Sequence, residues 1–246
     1  MSRRLIPCLL LTSLLLSVDS SAQSQLPGPK KAYVTTSGEW IFSLPILDVN
    51  DNSEGGVVRF SPVFNGQTML NYDLSEHFGL YTGLSIRNQG FIYKVPDVDV
   101  RYKFRTYNVG VPVGFKVGSM NKTLVFLGYE LELPFNYKEK RFEGDHKEDK
   151  FNVWFSDRNS MFYQSVFLGF QGPGSATITV RYYLTNFHNQ DFTETKDGVT
   201  TKPYDGLNAN IVAVSLGYGL FDVRKRMPMP HHSGSETLTK TAWDGR

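Results

Sequence analysis

Apolar residues recur at every second position over eight segments of the chain. Such alternation predicts β-strands, because successive side chains along a strand point to opposite faces of the sheet. Residues 78–86 show the pattern, with Phe, Leu, Thr, Leu and Ile on one face and Gly, Tyr, Gly and Ser on the other. The predicted strands cover residues 40–46, 60–74, 78–86, 107–117, 125–137, 162–170, 178–184 and 212–220.

The connections between these strands alternate in length. Tight turns are predicted at residues 75–77, 118–122 and 171–175, and polar loops at 48–56, 95–100, 138–159 and 185–206. The apolar faces carry no charged residue, although 20% of the chain is charged. In and next to the strands, the charged residues fall on the opposite face: Arg59, Asp73, Arg87, Lys116, Glu130, Glu132 and Arg181.

This pattern predicts an all-β fold, an eight-stranded antiparallel up-and-down transmembrane β-barrel. A charge on the lipid face near the membrane midplane costs about 2–4 kcal/mol, so the apolar face looks at lipid and the polar face inwards. Short turns and both termini are then periplasmic, and long loops lie outside. Tyr72 and Phe78, next to a tight turn, are expected in an aromatic girdle. The alternative is a soluble, lipocalin-like barrel with an apolar interior, but the long aromatic faces, one-sided loops and glycine-rich second face favour the membrane barrel.

The N-terminus predicts export. Arg3 and Arg4 precede an apolar run over residues 5–18, and the small residues that follow predict cleavage after Ala22. The expected organisation is a signal peptide at 1–22, an N-terminal periplasmic segment at 23–37, the barrel at 38–221 and a disordered periplasmic C-terminal tail at 222–246. The only cysteine, Cys8, lies in the signal peptide, so the mature protein is expected to lack cysteine.

Charge and hydropathy exclude two classes of protein. A formal net charge of +2 without a large basic cluster argues against a nucleic-acid partner. The slightly negative mean hydropathy argues against a helical membrane protein. Outer-membrane lipid is therefore the first expected partner.

Three stretches carry a resemblance to a known family. They are "YDLSEHFGLYTGLSI", "YNVGVPVGFKVG" with its internal Pro112, and "IVAVSLGYGLF" near the end of the predicted barrel. Over about residues 38–221 the chain resembles the PorT-like outer-membrane β-barrel family of Bacteroidetes. The resemblance implies a small barrel, in most members without assigned chemistry, whose namesake serves the type IX secretion machinery. The chain departs from the usual assembly signal, since residues 222–246 follow the aromatic Phe221.

The predicted lumen contains candidate site residues. Arg87, Glu130, Glu132 and Arg181 face inwards at similar depth, and removing one partner of a buried ion pair typically costs about 3–5 kcal/mol. We therefore expect these four residues to form an ion-pair network across the lumen that closes it to solutes. The predicted function is a non-enzymatic structural or accessory envelope component, with a secretion-machinery subunit as one form of it. The alternatives are a rim-located lipid A or phospholipid hydrolase and a narrow solute channel.

The weaker candidates lie in loops and in the tail. A hydrolase would use a serine, a histidine and an acid from the long-loop rim, where the available residues are Asp145, His146, Ser156, Asp157, Ser160 and His188, but their spacing defines no catalytic set. The loop 48–56 alternates oxygen ligands as a calcium loop does, but Ser53 stands where a glycine is needed. No catalytic residue, metal or cofactor is predicted. Trp243 and Arg246 are candidate contacts for a periplasmic or outer-membrane protein partner.

Overall fold

The computed structural model describes residues 31–50, 52–120, 122–144, 146–196 and 198–222. The described residues form fourteen β-strands and one 3-10 helix of three residues, Pro173–Ser175. The strands are β1 Lys31–Val49, β2 Asn52–Glu54, β3 Gly56–Val57, β4 Arg59–Ser61, β5 Gly66–Asp73, β6 Phe78–Lys94, β7 Val100–Gly118, β8 Leu124–Glu143, β9 His146–Trp154, β10 Tyr163–Gln171, β11 Ala176–Tyr183, β12 Glu194–Lys196, β13 Val199–Thr201 and β14 Leu207–Asp222. In this part of the chain, no helix is long and apolar enough to cross a membrane.

Eight of these strands form a closed antiparallel ring. Its order is β1, β5, β6, β7, β8, β10, β11 and β14, and β14 pairs with β1 to close the sheet. Each of the eight strands is thus paired on both sides, as a sheet in lipid requires, because no water is available there to bond a free edge. The predicted eight-stranded antiparallel barrel is confirmed.

The barrel is apolar outside and polar inside. Leu84 on the outer surface is 63% exposed, whereas Arg87, three residues further along β6 and on its opposite face, is 1% exposed. Glu130 and Glu132 in β8 are completely buried. This distribution is the reverse of a soluble barrel and is typical of a barrel that faces lipid.

We call the end with the short turns the tight-turn end and the other the long-loop end. At the tight-turn end, Tyr72 and Phe78 project outwards beside the turn at 74–77. β1 begins at Lys31, before the predicted barrel boundary at residue 38. At the long-loop end, β7 and β8 continue far beyond the predicted strands, and β9 pairs with the end of β8.

Two predictions fail at this end of the barrel. The predicted polar loop at 138–159 is largely strand, because the end of β8 pairs with β9 and charged residues there alternate without an apolar face to reveal them. The predicted continuous strand at 60–74 is two strands, β4 and β5. Phe64 has a φ of 60°, which is outside the strand region, and the segment between β4 and β5 leaves the ladder.

One predicted outward residue points inwards. The β7–β8 register shifts at Tyr107/Asn108, where Asn136 and Pro134 pair but Phe135 has no opposite residue. A bulge of this kind adds one residue to one strand and reverses the alternation beyond it. Tyr137, expected on the lipid face, is therefore fully buried in the interior.

Candidate functional site in the barrel lumen

Five charged side chains from four strands meet in the centre of the lumen. Arg87 of β6 lies 2.5 Å from Glu39 of β1 and 3.1 Å from Glu130 of β8. Arg181 of β11 lies 2.6 Å from Glu130, and both arginines lie within 4 Å of Glu132, at 3.6 and 3.9 Å. All five side chains are 7% exposed or less. We call this group the charge cluster.

Neutral side chains complete the hydrogen bonding of the charge cluster. Glu132 accepts hydrogen bonds from Asn108 at 2.7 Å and from Tyr183 at 2.8 Å. Ser165 accepts one from Arg181 at 2.7 Å, and Ser85 donates its hydroxyl to Glu130. Buried charges need such partners, because each carboxylate oxygen and guanidinium N–H loses its hydration on burial.

A glycine makes room for the charge cluster. Gly110 of β7 pairs with Glu132, and a Cβ at Gly110 would lie 2.6 Å from the Ser85 hydroxyl oxygen. That distance is shorter than any normal contact, so a side chain there would displace the hydroxyl and the carboxylate that it bonds. Gly110 therefore belongs to the site although it carries no functional group.

A second ion pair lies nearer the tight-turn end. Lys116 of β7 is 2.7 Å from Asp73 of β5 and donates to Tyr33 at 2.5 Å and to Asn71 at 3.0 Å. Tyr81 packs against Phe126 and Phe167 between this pair and the charge cluster. Side chains thus cross the lumen at successive levels, as expected for a barrel of eight strands.

Aromatic side chains fill the lumen at the long-loop end. The segment between β11 and β14 folds into this mouth and contributes Phe187, His188 and Tyr204, which are all buried. The His188 ring stacks on Tyr204 at 4.2 Å and meets the edge of Phe104 at 4.5 Å. We call the buried group the aromatic plug; its other members are Leu47, Phe91, Phe104, Tyr137, Tyr163, Tyr183, Ala209 and Ile211.

Burial sets the protonation of two groups in the aromatic plug that lie outside the barrel strands. Loss of hydration, together with the nearby Arg158, lowers the pKa of His188 to about 3, so the ring is neutral at physiological pH. Its Nε2 lies 3.4 Å from the Tyr137 hydroxyl. Burial and the nearby Glu139 carboxylate raise the pKa of Tyr204 to about 12.

The sequence pattern missed several of these residues for different reasons. Glu39 lies just before the first predicted strand, and its position next to the outward Trp40 is a signal that places it inside. Phe187, His188 and Tyr204 lie in a predicted polar loop without periodicity. An apolar and aromatic group inside a polar loop is a weak signal that could have suggested a buried segment.

The structure does not assemble the rim residues into a hydrolase site. The Ser160 hydroxyl donates to the backbone carbonyl of Asn186 at 2.6 Å, and the Ser156 hydroxyl accepts from the Arg158 backbone N–H at 3.2 Å. Among the described residues, neither serine hydroxyl bonds a histidine ring, since His188 is in the aromatic plug and His146 is exposed at the start of β9. Asp157 is also exposed, and Asp145 lies outside the described residues.

Other candidate sites are not formed or not described. Within the described ranges, no group of three or more His, Cys, Asp or Glu side chains is placed to hold a metal. The loop expected at 48–56 instead contributes β2 and β3, which pair with β1 and β6. The signal peptide at 1–22 and the docking residues Trp243 and Arg246 lie outside the described residues and stay predictions.

The fold and its filled lumen define a small closed β-barrel with a lipid-compatible exterior. No family model and no curated protein matches the chain. It is similar to the solved structure of Ail, the attachment invasion locus protein of Yersinia pestis, with 10% identity over 77% of this chain and 99% of that one and a TM-score of 0.33. The N-terminal β-barrel domain of OprF from Pseudomonas aeruginosa gives 6% identity, 78% and 99% coverage and a TM-score of 0.33.

A further similar structure is the outer membrane protein OprG from Pseudomonas aeruginosa. It shows 9% identity over 79% of this chain and 99% of that one, with a TM-score of 0.28. At this level of similarity, the assignment of a closed barrel rests on the strand pairing of this chain alone.

Of the two carboxylates near both arginines, Glu130 makes the shorter contacts, at 3.1 Å to Arg87 and 2.6 Å to Arg181, so its removal tests the charge cluster. We expect Glu130→Gln to lower the free energy of unfolding by about 3–5 kcal/mol, because it leaves the buried Arg181 with Glu132, at 3.9 Å, as its nearest carboxylate. Urea unfolding of the protein folded into phospholipid vesicles measures the change. The control is Glu76→Gln in an exposed turn, which should change stability by about 0.5 kcal/mol or less. Equal effects of the two substitutions would contradict the role assigned to the charge cluster.

The neutral His188 predicts a pH dependence with a definite sign. Above about pH 6.5, the ordinary pKa, the ring is neutral in both folded and unfolded chains and contributes no pH dependence. As the pH falls from 6.5 towards 3, the unfolded chain binds a proton that the folded chain excludes, so stability is lost. At pH 5 the loss is about 2 kcal/mol relative to pH 7.5.

Denaturant unfolding of His188→Phe at these two pH values measures that loss by difference. The variant should lack this part of the pH dependence, whereas His77→Gln, in an exposed turn, should keep it. Parallel pH profiles for the wild type and His188→Phe would show that His188 is not the group responsible.

Proposed function

We propose that this protein is a non-enzymatic outer-membrane β-barrel that acts as a structural or accessory component of the envelope. The observation that carries the proposal is the contrast between an apolar outer surface and a lumen filled by the charge cluster and the aromatic plug. The apolar outer surface supports a location in a lipid bilayer, and the blocked lumen supports a barrel that does not transport solutes. The engagement of the rim serine hydroxyls with backbone groups favours a non-enzymatic protein over a lipid hydrolase.

We further propose that the chain belongs with the PorT-like barrels of Bacteroidetes. The stretches that carry this resemblance lie on β5, β6, β7 and β14, and Pro112 lies within β7. A role as a secretion-machinery subunit follows only from that resemblance. Co-purification from detergent-solubilised membranes would distinguish an accessory subunit from a barrel that acts alone.

In the proposed topology the long-loop end faces the cell exterior and both termini face the periplasm. Single cysteines test this, because the mature protein is expected to have none of its own. Val98→Cys at the long-loop end should react with a membrane-impermeant maleimide on intact cells, and Lys122→Cys at the tight-turn end should react only after lysis. Both positions are exposed, so accessibility within the protein is matched. The opposite labelling pattern would invert the topology, and no labelling of either in intact membranes would argue against this location.

A closed lumen predicts electrical silence. The wild-type protein in planar bilayers should show no stable conductance, because the charge cluster and the aromatic plug both block the lumen. Heat-modifiable migration on gels would show that the inserted protein is folded. A steady open channel from folded wild-type protein would refute the closed lumen and favour the solute-channel alternative.

A further inference from the structure

The outward surface of β6, β7, β8 and β9 at the long-loop end is strongly cationic. Three rows of residues paired across these strands form this surface, which we call the cationic face. The rows are Lys94, Arg101 and Phe142; Ile92, Lys103, Lys140 and Lys150; and Gly90, Arg105, Lys138 and Asn152. These rows contain seven cationic residues and no carboxylate.

The middle row places like charges directly opposite one another. Lys103 of β7 pairs with Lys140 of β8, and Lys140 pairs with Lys150 of β9. Like charges at directly opposed positions destabilise a sheet, whereas opposite charges would stabilise it. The direct opposition of these lysines is therefore an unfavourable contribution to the stability of the sheet, and an anion bound there would relieve that repulsion.

Aromatic contacts place the cationic face at the edge of the membrane. Arg105 donates to the Tyr107 hydroxyl at 3.3 Å, and the Lys138 ammonium lies 5.1 Å from the centre of the same ring. Tyr107 in turn lies beside Phe64 and Phe135, and Phe135 stacks on the exposed Trp154. Such an aromatic belt marks the headgroup level of a membrane, so the cations next to it lie at the height of lipid phosphates.

We propose that the cationic face binds the phosphate groups of lipids in the outer leaflet. The guanidinium groups of Arg101 and Arg105 suit phosphate because they present two parallel N–H donors, and the lysines add positive charge. The assignment to the outer leaflet rests on the proposed topology. The binding itself does not, because the purified protein would bind phosphate-bearing lipid in either orientation.

Removing two opposed lysines tests the proposal in nanodiscs that hold the full-length protein. The probes are phosphatidylcholine alone, phosphatidylcholine with bisphosphorylated lipid A, the same with dephosphorylated lipid A, and phosphatidylcholine with free inorganic phosphate. We expect Lys103→Gln/Lys140→Gln to bind bisphosphorylated lipid A about 30-fold more weakly than the wild type does, since each cation near an anionic surface contributes about 1 kcal/mol.

The matched control removes two lysines elsewhere. Lys122 lies in an exposed turn and Lys202 in an exposed loop, both outside the cationic face. The double variant Lys122→Gln/Lys202→Gln should bind bisphosphorylated lipid A within about twofold of the wild type.

Stability provides a second readout with the opposite sign. In phosphatidylcholine alone, the single variant Lys103→Gln should unfold at a higher denaturant concentration than the wild type, because the charge directly opposite Lys140 is gone. With bisphosphorylated lipid A, the wild type should gain more stability than the variant. A row of lysines that is only solvated would not give the wild type this larger stabilisation by bisphosphorylated lipid A.

Three results would overturn the proposal. One is equal wild-type affinity for bisphosphorylated and dephosphorylated lipid A. Another is an equal loss of binding in the two double variants. A third is stabilisation by inorganic phosphate that matches the effect of bisphosphorylated lipid A, which would make the face a site for free phosphate. The conductance and cysteine-labelling experiments test the proposed function independently of these lipid-binding results. Failure of the lipid-binding proposal can therefore be distinguished from failure of the proposed function.

Discussion

Backbone hydrogen bonding between β14 and β1 closes the sheet, and the placement of the other parts of the molecule depends on that closure. With eight strands, the ring leaves an interior only wide enough for side chains. A charge that faces inwards therefore has no bulk water around it and needs a protein partner. The outer surface carries the apolar side chains, so the interior is stabilised largely by ion pairs, hydrogen bonds and aromatic packing rather than by an aliphatic core.

The charge cluster constrains the strand register more strongly than it stabilises the fold. Buried ion pairs are weak evidence for stability, because desolvation offsets most of their attraction. A slip of one residue in β8, however, would turn both Glu130 and Glu132 towards lipid, at about 2–4 kcal/mol for a charge at the midplane. The same slip would move the Glu130 and Glu132 carboxylates away from Gly110, which leaves room for them because it has no side chain. The strand register, the space at Gly110 and the inward position of the charges are thus specified by the same residues.

Period-two alternation was sufficient to predict the eight barrel strands, because a lipid-facing strand must keep charge off one face along its length. Inward parity likewise predicts Arg87, Glu130, Glu132 and Arg181 on the polar face, and all four side chains are buried. Their partners Glu39 and Asn108 could be identified only from the structure, since the sequence does not show which strands face each other across a lumen.

Parity failed where a local irregularity intervened. The bulge at Phe135 reversed the direction of Tyr137, and the positive φ of Phe64 divided a predicted strand. The aromatic plug was not predicted, because Phe187 and His188 reach the lumen from a loop without periodicity, where their apolar and aromatic character is only a weak signal. β9 was missed because its charged residues leave no apolar face to detect.

Strand length explains why so much of this chemistry lies at the long-loop end. A transmembrane β-strand needs about 9–11 residues, but β7 has 19 and β8 has 20. The surplus residues extend the sheet beyond the membrane, where the inner face packs on the aromatic plug and the outer face becomes the cationic face. A barrel with shorter strands would lack the direct opposition of Lys103 and Lys140, which is unfavourable in a sheet. Since directly opposed like charges do not stabilise a sheet, this row is better explained by the proposed anionic surface beside the barrel than by folding.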